Sequence, residues 1–125
     1  MPHLSIIIPA YNRPDTLERA VASALAQTMD DLEVIVVDDA SPTPLTVPDD
    51  PRVRLIRLED NRGVAGSQNA GVEAAHSRWV AFLDDDDELL PHFAQASFDT
   101  LASTDLPEPV AVVSGMRVVR GDGSY

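Results

Sequence analysis

Four aspartates in a row, Asp84-Asp85-Asp86-Asp87, directly follow the apolar run Trp79-Val80-Ala81-Phe82-Leu83. Carboxylates this close repel one another by about 1 kcal/mol per pair even in water, so their placement at the end of a buried strand calls for compensation. A hard divalent cation supplies it, since Mg²⁺ or Mn²⁺ is held by one or two carboxylates together with the oxygens of a substrate phosphate. The bland alternative is a solvated acidic turn, with Asp87 and Glu88 lying near the positive N-terminus of a following helix. Two other stretches carry polar groups after apolar runs: Tyr11-Asn12 after residues 4–8, and Asp38-Asp39 after residues 33–37. Each has its own structural explanation, as packing, helix cap or turn.

The elements that would position these groups follow from the apolar pattern. Residues 4–8 are short and β-branched, and Pro9 is expected to stop them, so they read as a buried first strand. Pro14 and Asp15 suit the first turn of a helix whose Leu17, Val21 and Leu25 share one face. Residues 33–37 form a second apolar strand, and a strand, helix and strand in this order make a parallel βαβ unit. Four prolines, Pro42, Pro44, Pro48 and Pro51, mark residues 42–52 as a surface loop. Residues 53–58 alternate, as an edge strand does. After Asn61-Arg62-Gly63, residues 64–76 read as a helix with Val64, Ala65, Asn69, Val72 and Ala75 inward, and its Gly66 and Gly71 hint at close backbone approach. Residues 79–83 are expected to be a central strand buried on both faces. Pro91 opens a helix carrying Phe93, Phe98 and Leu101, residues 110–119 read as a last strand, and residues 121–125 as a turn.

Parallel strands point their carboxyl ends one way, so Tyr11, Asn12, Asp38, Asp39 and Asp84 to Asp87 should meet on one rim. There Tyr11 offers a ring for stacking a nucleobase, Asp39 an acceptor for a base N–H, and the aspartate run a metal for a diphosphate. Together they describe a nucleoside diphosphate lying across the sheet edge.

Composition removes other classes. With 125 residues the chain is expected to form one domain, and a net charge of −12 with a pI near 4.3 argues against a nucleic-acid partner. There is no Cys, and all nine basic residues are Arg, which removes disulfides, thiolate metal sites, Schiff-base chemistry and a phosphate-loop lysine. His3, His76 and His92 lack the spacing of a metal set. No segment approaches the roughly 20 apolar residues of a spanning helix, and with no charged leader the expectation is a cytoplasmic protein.

The stretches Ser5-Ile6-Ile7-Ile8-Pro9-Ala10-Tyr11-Asn12, Glu33 to Ser41, Asn61-Arg62-Gly63, Asn69-Ala70-Gly71 and Phe82 to Asp87, in this order, resemble the opening half of a family 2 glycosyltransferase. The resemblance covers nearly the whole chain. It implies a GT-A fold: a Rossmann-like α/β domain with a mostly parallel sheet, helices on both faces, and binding of a nucleotide-sugar and Mn²⁺ or Mg²⁺ for inverting transfer. By resemblance Pro9, Ala10 and Tyr11 line the nucleoside, Asp39 reads the base, Asp84 and Asp85 lie at the nucleotide, Asp84 and Asp86 form the metal pair, and Arg62 lies near a phosphate-contacting position. A UDP-sugar is the donor it favours, with the acceptor unassigned. The family often has Ala-Arg-Asn where this chain has Ser67-Gln68-Asn69. The acceptor half and its general base are expected beyond Tyr125, leaving residues 1–125 a truncated nucleotide-binding part, with a homodimer expected through the C-terminal edge strand. Two rival readings are a response-regulator receiver domain, which would need a lysine, and a non-catalytic nucleotide-sugar binding module.

Overall fold

The computed structural model describes residues 2–121. Seven elements follow in order: β1 (Leu4–Ala10), α1 (Pro14–Leu25), β2 (Leu32–Asp38), β3 (Val53–Arg57), α2 (Gly63–Ala74), β4 (Trp79–Phe82) and α3 (Phe93–Ser103). The four strands form one parallel sheet in the order β3-β2-β1-β4. Helices cover both faces, as the family resemblance implies. Leu4, Ile6 and Ile8 of β1 and Val34 and Val36 of β2 pack with Leu17, Ala20, Val21 and Ala24 of α1. Ala94, Phe93 and Phe98 of α3 extend that same layer over Trp79 and Ala81. On the opposite face Ile7, Ile35 and Val37 meet Ala70 and Ala74 of α2.

Several expectations need correction. Pro9 does not stop β1, which runs on to Ala10 and keeps Pro9 opposite Val37. The last β4 partner of β1 is Phe82, opposite Ile7, so the missing N–H of Pro9 falls where the β4 side of the strand is already unpaired. The inward face of α2 matches the expected one only at Ala75, which packs against the core, while Ala65 and Asn69 are exposed. Val64 and Val72 are exposed, and the residues buried against the sheet are Ser67 and Gly71. Closeness decides this face. A Cβ added to Gly71 would stand 2.3 Å from Cγ2 of Ile7, so the backbone of α2 lies directly on the Ile7 side chain of β1 and larger side chains have to point away.

Among the described residues the apolar run at 79–83 is an edge strand, not the expected central one. Among the described residues β4 pairs only with β1, and its burial alternates, with Val80 and Phe82 exposed. α3 packs on one side of it through Phe98 against Trp79, while α2 sits over β1 and β2. Residues 110–119 form no strand at all. Val113, Met116, Val118 and Val119 are exposed there, with no neighbouring strand to supply ladder hydrogen bonds. The expected dimer through a C-terminal edge strand therefore loses its edge. Of the turn expected at 121–125, only Gly121 lies within the described residues.

Candidate functional site

β1 is the point where the strand order reverses, with β2 and β3 on one side and β4 on the other. A crevice opens at the carboxyl ends of the strands at such a point, and ligands of open α/β sheets bind there. The loops after β1, β2 and β4 meet in it and are tied to one another. Asp39 N–H donates to the carbonyl of Ala10 at 2.9 Å, and Asn12 N–H donates to Ser41 Oγ at 2.9 Å. Both loops turn through left-handed residues that are not glycine, Asn12 with φ of 53° and Ala40 with φ of 61°. Such conformations cost free energy and persist where surrounding contacts hold them.

The two aspartates after β2 have different tasks. Asp38 is fully buried and accepts Ser41 N–H at 3.0 Å, Leu45 N–H at 3.0 Å and the Arg57 guanidinium at 2.7 Å. Burial pushes its carboxyl up, but those donors outweigh burial and hold it below the usual carboxylate range. Asp38 thus fastens the loop rather than facing the crevice. Asp39 turns to α2, where its carboxylate accepts the N–H groups of Arg62 at 2.6 Å and Gly63 at 2.9 Å. It satisfies donors that a helix start leaves without intrahelical partners.

The run after β4 is likewise divided. Asp85 is buried and accepts Tyr11 N–H at 3.0 Å and the Arg13 guanidinium at 3.2 Å. Asp84, Asp86 and Asp87 are exposed, and each can offer one oxygen such that all lie within 4.8 Å of one another. Burial, and then the negative charge of Asp86, Asp84 and Asp85, raise the pKa of Asp87 above its ordinary value. Arg13 also reaches Asp86 at 3.0 Å, so part of this repulsion is already offset by a cation.

Between these groups lies a cleft of about 620 Å³. Pro9, Ala10, Tyr11, Asp39, Asp84, Asp85 and Asp86, all singled out in the sequence, line it. Arg62 does not; it contributes its backbone N–H to Asp39, and its neighbours Asn61 and Gly63 reach the cleft instead. Arg13, Asn61 and Ser67 also line it, and the sequence reading gave none of them a site role. A signal for Arg13 existed: it follows one rim loop directly, and a run of four acids forms another. The histidines stay apart: His3 stacks on Phe98, His92 meets Thr28, and His76 joins Glu33 at the opposite end of the sheet. A smaller hollow of about 210 Å³ between α3 and residues 112–114 holds no ionisable side chain.

Comparison with known proteins agrees with this arrangement. Residues 5–124 match glycosyl transferase family 2. The succinoglycan biosynthesis protein ExoO of Rhizobium meliloti is 48% identical over 95 residues, which is 73% of this chain and 27% of that protein. A GalNAc(5)-diNAcBac-PP-undecaprenol beta-1,3-glucosyltransferase of Campylobacter jejuni is 42% identical over 97 residues, covering 72% of this chain and 31% of its own length. The curated relatives it matches are longer proteins, of which the chain spans between 27% and 40%. Among solved structures, S. aureus TarS 1-349 in complex with UDP superposes with a TM-score of 0.69 at 23% identity, over 80% of this chain and 32% of that one. The parallel sheet with its crevice at β1 is therefore a GT-A fold. With the order of motifs, the rim they form and the match over nearly the whole length in agreement, the chain belongs to glycosyl transferase family 2.

Proposed function

We propose that this chain binds a nucleotide-diphosphate sugar, in particular a UDP-sugar, with Mn²⁺ or Mg²⁺, as the donor-binding part of an inverting glycosyltransferase. The observation that carries the reading is a single cleft lined both by the Asp39-capped start of α2 and by the exposed carboxylates of Asp84 and Asp86. A nucleoside diphosphate has complementary ends: a base with N–H donors and a doubly charged phosphate group that needs a cation. The UDP found in TarS and the glucosyltransferase name of the Campylobacter relative support this donor class.

Asp84, Asp86 and Asp87 fit a hard divalent cation, because their oxygens converge and are exposed, and burial together with the neighbouring negative charges raises the pKa of Asp87. A bound cation would supply charge neutralisation to the diphosphate as leaving group. The chain's own residues do the rest. Arg13, anchored by Asp85, brings positive charge to the phosphate end of the cleft. Tyr11, about half exposed on the rim, offers its ring to the base, and Asp39 keeps lone pairs for a base N–H after capping α2.

Inversion requires the acceptor hydroxyl to approach the sugar from the side opposite the diphosphate, with a base within about 3 Å of it. The carboxylates of Asp84 to Asp87 belong to the leaving-group side and cannot serve as that base. We therefore assign the base and the acceptor contacts to sequence outside residues 1–125. Calorimetric titration of UDP with and without Mn²⁺ tests the reading: binding is expected with the metal only and is lost in Asp86→Ala. Equal affinity without metal would remove the metal from the proposal, and sugar transfer by the purified 125-residue chain would overturn the assignment of the base.

A further inference from the structure

Ser67 lines the cleft from the second turn of α2 and is fully buried, yet its Oγ has no hydrogen-bond partner among the described residues. Helical serines commonly return the hydroxyl to a carbonyl one turn back. Ser23 and Ser97 do so here, donating to the carbonyls of Ala20 and Phe93. Ser67 does not. A buried polar group without a partner destabilises the fold, and where one persists its position calls for a functional explanation.

Its place on the helix suggests the explanation. Gly63, Ser67 and Gly71 recur at one-turn spacing and form one stripe. Gly71 rests on Ile7 of β1, so one turn earlier Ser67 comes to the carboxyl end of β1, beside the Pro9 and Ala10 wall of the cleft. One turn earlier again, Gly63 N–H is capped by Asp39. An acceptor-only carboxylate and an uncommitted hydroxyl donor therefore lie in succession along one wall of the cleft. The complementary ligand edge has an N–H next to a C=O. Uracil has this edge, with N3–H flanked by two carbonyls; cytosine, with a bare N3 and an amino group, does not.

Building on the nucleotide-binding reading above, we infer that Ser67 is a base-specificity residue, donating its hydroxyl to a uracil carbonyl while Asp39 accepts the N3–H. The hydroxyl is held unpaired in the free protein and finds its partner in the ligand.

The test compares UDP with CDP, which share ribose and diphosphate and differ only in the pyrimidine edge. Both are titrated with Mn²⁺ present into the purified chain and into Ser67→Ala, and ligand-free melting is measured in parallel. UDP affinity is expected to fall about five- to tenfold in the variant, with CDP changed less than about twofold. The ligand-free Tm is expected to rise, because alanine removes an unpaired buried hydroxyl and favours the helix. Unchanged UDP affinity, equal weakening of UDP and CDP, or a lowered Tm would each overturn the inference while leaving nucleotide binding standing. A wild-type chain that binds neither nucleotide would instead sink the donor-binding proposal, and this inference with it.

Discussion

The Asp85 carboxylate accepts the backbone N–H of Tyr11 at 3.0 Å across 74 residues of sequence, stitching the loop after β4 to the loop after β1. Its second oxygen holds Arg13. Asp85 thus shapes the cleft wall from within, while its neighbours Asp84 and Asp86 face solvent. Asp85→Ala would leave the Tyr11 N–H without its acceptor and release Arg13 from one of its two carboxylates. A loss of about 1–3 kcal/mol is expected in urea unfolding. Nucleotides of every base should weaken together, while Mn²⁺ binding at the exposed carboxylates persists. Wild-type stability in this variant would show that the stitch contributes nothing.

Asp39 holds two roles that one variant can separate. Its carboxylate caps α2 through Arg62 and Gly63, so Asp39→Ala should cost about 1 kcal/mol as a lost helix cap. Asp39→Asn keeps one acceptor oxygen but adds an N–H₂ donor, which suits the bare N3 of cytosine better than the N3–H of uracil. The UDP-to-CDP affinity ratio should therefore fall in Asp39→Asn. Uniform weakening of both nucleotides would confine Asp39 to capping.

The parallel pairing of the first two strands and the convergence of Tyr11, Asp39 and the aspartate run at one rim were legible in the sequence. They depend on apolar periodicity and on the handedness of crossovers, which local sequence sets. What was not legible depends on neighbours. The run at 79–83 is as apolar as a central strand, yet only one of its faces is covered, and coverage is a property of α2's position over β1 and β2. The inward face of α2 was misjudged in part because hydrophobicity pointed to Val64 and Val72, whereas the seating of the helix backbone on the Ile7 side chain places Ser67 and Gly71 inward. Which of four adjacent aspartates turns inward depends on the N–H of Tyr11, far away in sequence.

Gly71 is the test of that close approach. An added Cβ would meet Ile7 Cγ2 at 2.3 Å and Cγ1 at 3.2 Å, and Ile7 is fully buried in β1. Relief requires the buried, β-branched Ile7 side chain to leave its rotamer, or β1 or the helix that carries Ser67 to move. The overpacking cost of about 1–3 kcal/mol should outweigh the roughly 1 kcal/mol that alanine gains over glycine within a helix. Gly71→Ala is therefore expected to lower the urea midpoint and to weaken nucleotide binding, since α2 supplies one wall of the cleft. A midpoint at or above that of wild type would contradict the packing argument.

The last prediction concerns acid. Asp38 is buried, which raises its carboxyl, but the N–H groups of Leu45 and Ser41 and the Arg57 guanidinium more than reverse this, and the folded pKa lies below the ordinary value. Glu33 behaves in the same way at the opposite end of the sheet, with burial outweighed by His76 N–H, the Ser5 hydroxyl and Arg54. A group with a depressed folded pKa binds fewer protons folded than unfolded, so its stabilisation is present above the unfolded pKa and is lost as pH falls through the folded one. Asp87 has the opposite sign: its raised pKa means that its ionisation opposes folding as pH rises, until a cation offsets the charge. Stability should therefore fall steeply as pH drops below about 4, where carboxylates protonate. Asp38→Asn should cost about 2 kcal/mol at neutral pH, because an amide cannot accept both backbone N–H groups and the guanidinium. It should also flatten the acid limb, because one of the titrating groups is gone. Urea midpoints measured between about pH 2 and 7 decide the matter: a variant curve running parallel to wild type through the acid limb would mean that Asp38 is not among the groups that set it.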